Sequence, residues 1–358
     1  MKSKAWVLVE PGRIEQREFD VRPPEPDQVL VRNLATSVCA SDPKIVAGKT
    51  SFNVYPLVFG HEIAGRAAAV GRDAAREYGL KEGDLLTIEP TIPCGRCRWC
   101  RTQYDYHKCR PLKAYGVTMP ADQHPALFGG YADYMYLLPG SLVYKVEEGV
   151  PPLAACLSSV IGNGVRWARN LTRLEYGDSL AVSGVGSQGL ATLIAARERG
   201  AGPIVMLGLT RDRHRFELAL EFGADHVIDV ETDNPLEAVP NLIGGPPDAV
   251  VETSGAPGAI DMALKLVRPL GRVAVIGLSG GKTVPLSFDD LVLKGVTISS
   301  DHAQAGMYPD AMRIIHSRKY AIEKINNVLY PLDDLPRALK DTADPPEGFI
   351  KGAVVFEP

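Results

Sequence analysis

The chain has 358 residues, 45% of them hydrophobic and 23% charged, which is more than one ordinary core accommodates and predicts two globular domains. Its 39 Lys and Arg residues against 43 Asp and Glu leave a net charge of −4 with no long basic run, which argues against a nucleic-acid or membrane-surface partner. The opening "MKSKAWVLVEPG" has an apolar run of only five residues, and nothing approaches the ~18 apolar residues of a membrane span, so a soluble, cytoplasmic protein is expected.

Residues 1–150 read as a mainly β domain of barrel or sandwich type. Short β-type runs ("KAWVLV", "QVLVRNLATSV", "EIAGRAAAV", "DLLTIEP") are broken by Pro and Gly, and helix-period patterns are scarce. "SVCASDPK" closes the second run and supplies Cys39; "FGHEIAG" opens the third and supplies His61 and Glu62. Thiolate, imidazole and carboxylate are all good zinc ligands, and three of them with one open position make a catalytic metal site. Taken alone, the His-Glu pair also reads as an ordinary surface or satisfied polar pair. Further on, "CGRCRWCRTQYDYHKC" packs four of the six cysteines into sixteen residues: Cys94, Cys97 and Cys100 at two-residue spacing, then Cys109. In a reducing compartment such a cluster binds zinc in preference to forming disulfides. Four thiolates fill a tetrahedral shell and leave no place for substrate, so this site is expected to be structural. Arg96, Arg98, Arg101 and Lys108 offset its negative charge. Trp99, Tyr104, Tyr106, Tyr115 and His302 are assigned no role.

After "PPLAAC" (151–156) the text changes to an alternation of strand and helix signals. "DSLAVSGVGSQGLATLIAARERGA" reads as strand, glycine turn and helix; "PIVMLGL" is a second strand and "RDRHRFELALEFGA" a helix closed by Gly223. "DHVIDV", "PDAVVETSG", "AIDMALKLVRPLGRVAVIGL" and "LKGVTISSDHA" continue the pattern, which predicts a parallel doubly wound sheet. The helix "YPDAMRIIHSRKY" and mixed elements ending in "IKGAVVFEP" return to the first domain. Gly184, Gly186 and Gly189 stand in GxGxxG spacing, with Ser187 and Gln188 inside the turn. The first glycine permits the tight turn, the second lets the backbone approach a pyrophosphate, and the helix N-terminus binds that group through free N–H groups. About twenty residues on, where an NAD site shows Asp or Glu, this chain has "LGLTRDR". Gly208, Thr210, Arg211 and Arg213 make room for a 2′-phosphate, so NADP is expected in preference to NAD. Asp212 lies a little beyond the usual place and remains compatible with NAD.

"CASD", "GHEIAG", the four-cysteine loop and the glycine turn, in that order, resemble the zinc-dependent medium-chain dehydrogenases: the alcohol, sorbitol, glucose and threonine dehydrogenase superfamily. The likeness extends over the whole chain and includes "GGYADYMYL", "GADHVID", "VVETSG" and "GRVAVIGL". It implies an α/β architecture, with a GroES-like catalytic domain over 1–150 and 303–358 and a Rossmann domain over 151–302. It also implies one catalytic and one structural Zn²⁺, and hydride transfer between an alcohol carbon and nicotinamide. By this resemblance Cys39 and His61 match two catalytic ligands, and Glu62 a neighbouring carboxylate or alternative ligand. Ser41 matches the hydroxyl that takes the alcohol proton, and Asp42 an acid behind the ligands.

The chain departs from that family in three places. The third protein ligand, a Cys or Glu, falls at Ser159 or Ser158 in "AACLSSVIGNGVRW", and neutral serine is a poor zinc ligand. Cys156 is a nearby substitute that reads better as a buried apolar cysteine; direct coordination by Glu62 is the simplest resolution. The relay position often held by His is Lys44, whose ordinary pKa of ~10.4 suits a neutral-pH base less well than ~6.5; a contact with cofactor phosphate or ribose is the other reading. The structural-zinc loop carries one extra residue before Cys109, which a loop tip tolerates. A small-molecule alcohol or carbonyl substrate, closer to polyols and sugars than to ethanol, and a homo-oligomer are expected. The rival readings are a zinc-independent quinone or enoyl reductase on the same scaffold and a non-catalytic nucleotide sensor.

Overall fold

In the computed structural model, which describes residues 1–50, 54–101, 105–110 and 112–357, the chain partitions into two units. One is Met1–Ser159 with Ile315–Pro358, the other Val160–Ile314. Tyr104 lies outside the described residues.

The first unit begins with a hairpin in which Lys2–Glu10 pairs antiparallel with Arg13–Asp20. Its partner strand is charged along most of its length and largely exposed, so it carries no alternating apolar signal. The larger sheet has seven strands. Its path runs Leu142–Lys145, Leu85–Glu89, Glu62–Val70, Val29–Ser37, Gly352–Val355, Val328–Pro331, and Tyr134–Leu137 also pairs with Val29–Ser37. Val29, Val31, Ile63, Leu86 and Met135 turn inward from these strands into one core, and all are buried. Two registers matter for function: Ser37 faces Glu62, and Ala353 faces Ser37 on its other side. Cys39, His61 and Lys351 therefore lie at the same end of three adjacent strands, although they come from three distant parts of the sequence.

In the second unit six strands are all parallel, in the order His226–Asp229, Ile204–Gly208, Leu180–Ser183, Ala249–Glu252, Arg272–Val275, Thr297–Ser299. In chain order that is third, second, first, fourth, fifth, sixth: the doubly wound arrangement, whose order reverses at Leu180–Ser183. Every residue of the three central strands is buried, as expected where helices cover both faces.

Both unit boundaries fall later in the chain than the 150/151 and 302/303 division read from sequence. The helix Pro152–Ala155 packs on Val29–Ser37 and Glu62–Val70 and so stays with the first unit. Gln304 and Met307 pack against Gly162, which keeps that stretch with the second. The returning tail also holds a helix, Leu335–Ala343, which Pro336 near its start disguised in the sequence. Among the described residues no helix is long and apolar enough to cross a membrane.

Candidate active site

Cys39 lies two residues past the end of Val29–Ser37, and His61 immediately precedes the first residue of Glu62–Val70. The strand register thus brings a thiol, an imidazole and a carboxylate together: the ligand atoms of Cys39, His61 and Glu62 all lie within 4.8 Å of one another. Behind them sits Asp42, wholly buried at the start of the short helix Asp42–Val46. Its Oδ2 accepts the Cys39 N–H at 2.9 Å and the Tyr131 hydroxyl at 2.6 Å, and its Oδ1 stands 3.3 Å from His61 Nδ1. Burial works against a charged His61, yet the Asp42 carboxylate and the Cys39 thiolate outweigh it and raise the His61 pKa well above its ordinary value. Anions that draw a proton to this place draw a metal cation as well. A Cys–His–Glu donor set with a carboxylate behind the histidine is one that zinc accepts, and these residues fit the metal.

Glu62 has a partner that sequence reasoning missed. Lys351 Nζ lies 2.9 Å from Glu62 Oε2 and donates to the Val38 carbonyl at 3.0 Å, and the two side chains are only 5% and 3% exposed. Burial lowers the lysine pKa, but Glu62 and then Cys39 more than compensate, so it is raised and the cation persists. One signal was present: a lysine directly before the apolar strand of "IKGAVVFEP" is out of place unless it is paired.

The other third-ligand candidates have different engagements. Cys156 Sγ is buried 3.1 Å from Ser37 Oγ and 3.4 Å from Asn326 Nδ2, and burial pushes its thiol up to about 12. Ser158 donates to the Ala155 carbonyl at 2.5 Å, and Ser159 is buried in the same helix. Cys156 does not belong to the Cys39–His61–Glu62 group among the described residues. Ser41 is half-buried at the helix cap, and its hydroxyl makes no capping bond. Lys44 is exposed and makes no side-chain hydrogen bond among the described residues.

Cys94, Cys97, Cys100 and Cys109 converge as well, with all four sulfurs within 4.8 Å of one another. The Cys94 and Cys100 sulfurs are 3.8 Å apart, those of Cys97 and Cys100 3.5 Å. Backbone N–H groups of Arg96 and Cys97 lower the Cys94 pKa to about 6, whereas burial pushes Cys109 up to about 12. Four sulfurs at this spacing fit one tetrahedral zinc and fill it. Arg98 stacks over the Trp99 ring, 4.4 Å from its centroid. Tyr106 donates to the buried Glu89 at 2.6 Å, and Tyr115 shares a 2.7 Å bond with Ser141; both are packing residues.

In the second unit the glycine turn leads from Leu180–Ser183 into the helix Ser187–Glu198. Gly184 has a φ of +103°, and a Cβ at Gly189 would come within 1.9 Å of the Gly184 carbonyl oxygen, so glycine is required at both. At Gly186 a Cβ would project into open space, and no side chain caps the helix. That cradle of uncapped N–H groups fits a pyrophosphate. Ser187 and Gln188 open the helix, with Gln188 Oε1 buried. At the end of Ile204–Gly208, a Cβ on Gly208 would strike Phe216 and Val185, so this glycine serves packing. Thr210 donates its hydroxyl to Asp229 at 2.7 Å and its N–H to Glu231 at 2.9 Å. Asp212 is turned inward, accepting the Leu209 N–H at 3.1 Å and pairing with Arg215 at 2.7 Å, while Arg211 and Arg213 are exposed.

Two family models match the chain: the alcohol dehydrogenase GroES-like domain over residues 25–148 and zinc-binding dehydrogenase over residues 161–317. A Mycobacterium tuberculosis protein named "probable alcohol dehydrogenase adh" is 35% identical over 325 residues, 88% of each chain. L-threonine 3-dehydrogenase of Pyrococcus horikoshii is 33% identical over 303 residues, 83% of this chain and 82% of that one. The crystal structure of an alcohol dehydrogenase from Thermotoga maritima superimposes with a TM-score of 0.91 at 25% identity, covering all of both chains. With both units matched and relatives aligned over more than four-fifths of its length, the chain belongs to the zinc-dependent medium-chain dehydrogenase family and is an alcohol dehydrogenase-type oxidoreductase.

Proposed function

We propose that the protein is a zinc- and NADP-dependent dehydrogenase of secondary alcohols, of the polyol or sugar kind. The observation that carries this is the Cys39–His61–Glu62 cluster, an open three-donor set in which a carboxylate replaces the usual later ligand. Zinc held there supplies Lewis-acid polarisation of the substrate oxygen, and a nicotinamide dinucleotide supplies the hydride acceptor. Asp42 holds the His61 ring, and Lys351 neutralises the Glu62 carboxylate. Ser41, two residues from Cys39 with its hydroxyl unused by the helix cap, takes the alcohol proton. The 2′-phosphate is read by Arg211 and Arg213, because the inward-turned Asp212 offers no carboxylate to ribose. A named 3-dehydrogenase of threonine among the relatives supports a secondary hydroxyl as the reacting group.

The test is a panel of polyols, sugars and secondary alcohols with NAD and NADP in parallel, read by absorbance of the reduced cofactor, together with metal counting. Two zinc ions per chain and oxidation favouring NADP are expected. One zinc with reduction of quinones or enoyl compounds favours the zinc-independent reductase; nucleotide binding without any turnover favours the sensor.

We propose too that the protein is a homo-oligomer joined through the second unit. Thr297–Ser299 is an edge strand, and near it in the sequence Phe288, Val292, Leu293 and Ile298 are 71%, 66%, 85% and 44% exposed. An unpaired edge bearing that much apolar surface is covered most simply by the same edge of a second copy across a twofold axis. Leu293→Asp is expected to convert the assembly to a smaller species by light scattering; an unchanged mass rules this face out.

A further inference from the structure

We infer that Tyr131 is a positioning residue of the metal site: by donating to Asp42, its hydroxyl fixes the carboxylate so that the other oxygen is presented to His61. The inference rests on the reading of Cys39, His61 and Glu62 as metal ligands, and it gives a function to a side chain that this reading leaves idle.

The Asp42 carboxylate is divided between two tasks. Oδ2 is held twice, by the Tyr131 hydroxyl at 2.6 Å and by the Cys39 N–H at 2.9 Å; Oδ1 faces His61 Nδ1 at 3.3 Å. A carboxylate held by one donor rotates about its terminal bond, whereas two converging donors on one oxygen leave the other aimed in a single direction. The Cys39 N–H belongs to the segment that carries a ligand, so Tyr131 is the anchor that comes from elsewhere.

That anchor is itself locked to the histidine's own segment. Tyr131 N–H donates to the Phe59 carbonyl at 3.0 Å and Gly130 N–H to the Gly60 carbonyl at 2.8 Å. The Tyr131 ring meets Phe59 edge to face at 4.9 Å between centroids. Gly60, immediately before His61, has a φ of +90°, and a Cβ there would lie 2.9 Å from ring carbons of Tyr131. The ring thus occupies the space that glycine leaves, and the hydroxyl continues past it to Asp42. A phenylalanine would satisfy the ring contacts equally well. Only the hydroxyl distinguishes the two, and it is wholly buried and spent on Asp42.

The experiment is chelator competition for zinc on the full-length protein, with Tyr131→Phe, Asp42→Asn and the double variant. Tyr131→Phe is expected to raise the dissociation constant of the catalytic zinc roughly tenfold, the low end for loss of a group behind a metal ligand. The four-cysteine zinc and NADP binding should remain unchanged. Since Tyr131 acts through Asp42, adding Tyr131→Phe to Asp42→Asn should cost nothing further. Tyr131→3-fluorotyrosine, which keeps ring and hydroxyl, should bind zinc as the parent does. Unchanged affinity in Tyr131→Phe, additive losses in the double variant, or an equal loss with 3-fluorotyrosine overturns the inference. Failure of the underlying metal reading shows separately: the parent protein would then carry one zinc per chain before any change at Tyr131.

Discussion

Cys39→Ser and His61→Ala are each expected to abolish alcohol oxidation while NADP binding survives. Each removes one of three donors whose ligand atoms lie within 4.8 Å of one another, and the two that remain cannot hold a divalent ion in an open tetrahedral site. Lewis-acid stabilisation of a developing oxyanion contributes several kcal/mol. Taking about 4 kcal/mol and 1.36 kcal/mol per factor of ten, turnover should fall by roughly 10³-fold or more. The glycine turn at Gly184, Gly186 and Gly189 belongs to the other unit, so a nucleotide titration should give nearly the parent affinity. Zinc content should fall from two ions to one, because the sulfurs of Cys94, Cys97, Cys100 and Cys109 form their own group. A parallel loss of nucleotide binding would mean that the substitutions collapse the fold, and retained turnover would remove the metal from the mechanism.

What the sequence reveals of this site depends on how local each determinant is. The glycine turn is legible because its reason is short-range: Gly189 abuts the carbonyl of Gly184, five residues earlier, and no other residue type fits. The four-cysteine site is legible for the same reason, since two-residue spacing alone nearly closes the cage. Cys39 and His61 are different. Their meeting depends on the register Ser37 to Glu62, which no local pattern states, and only the resemblance to a known family joined them. Tyr131 and Lys351 lay beyond even that. One reaches Asp42 from a glycine-rich turn and the other reaches Glu62 from the end of the chain, through contacts that exist only once the sheet has closed. The Arg13–Asp20 strand escaped notice on other grounds, because a charged, exposed edge has no face to bury.

Lys351→Met should destabilise the first unit more than any surface charge change, and a second substitution should rescue it. In the folded protein the lysine and Glu62 are both nearly inaccessible and 2.9 Å apart. Removing the cation leaves a carboxylate in low dielectric without its counter-charge, a change that costs about 3–5 kcal/mol in buried pairs. For a unit of this size that corresponds to a melting temperature lower by roughly 6–20 °C, at about 2–4 °C per kcal/mol. Because folding raises the Lys351 pKa above its ordinary 10.5, its stabilisation is fully present below 10.5 and is lost only as pH climbs through the raised value. The lysine's own contribution should therefore stay constant from pH 6 to about 9 by that sign, whereas the deficit of Lys351→Met should shrink toward the acid end, where protonation removes the stranded carboxylate's charge. Glu62→Gln in the same chain removes the stranded charge and should recover most of the loss, which calorimetry of the single and double variants measures directly. Saturating zinc should narrow the gap between parent and Lys351→Met, since a cation beside Glu62 does part of the lysine's work; a gap indifferent to both zinc and Glu62→Gln would mean that Lys351 contributes by packing, and that the charge of Glu62 is balanced elsewhere.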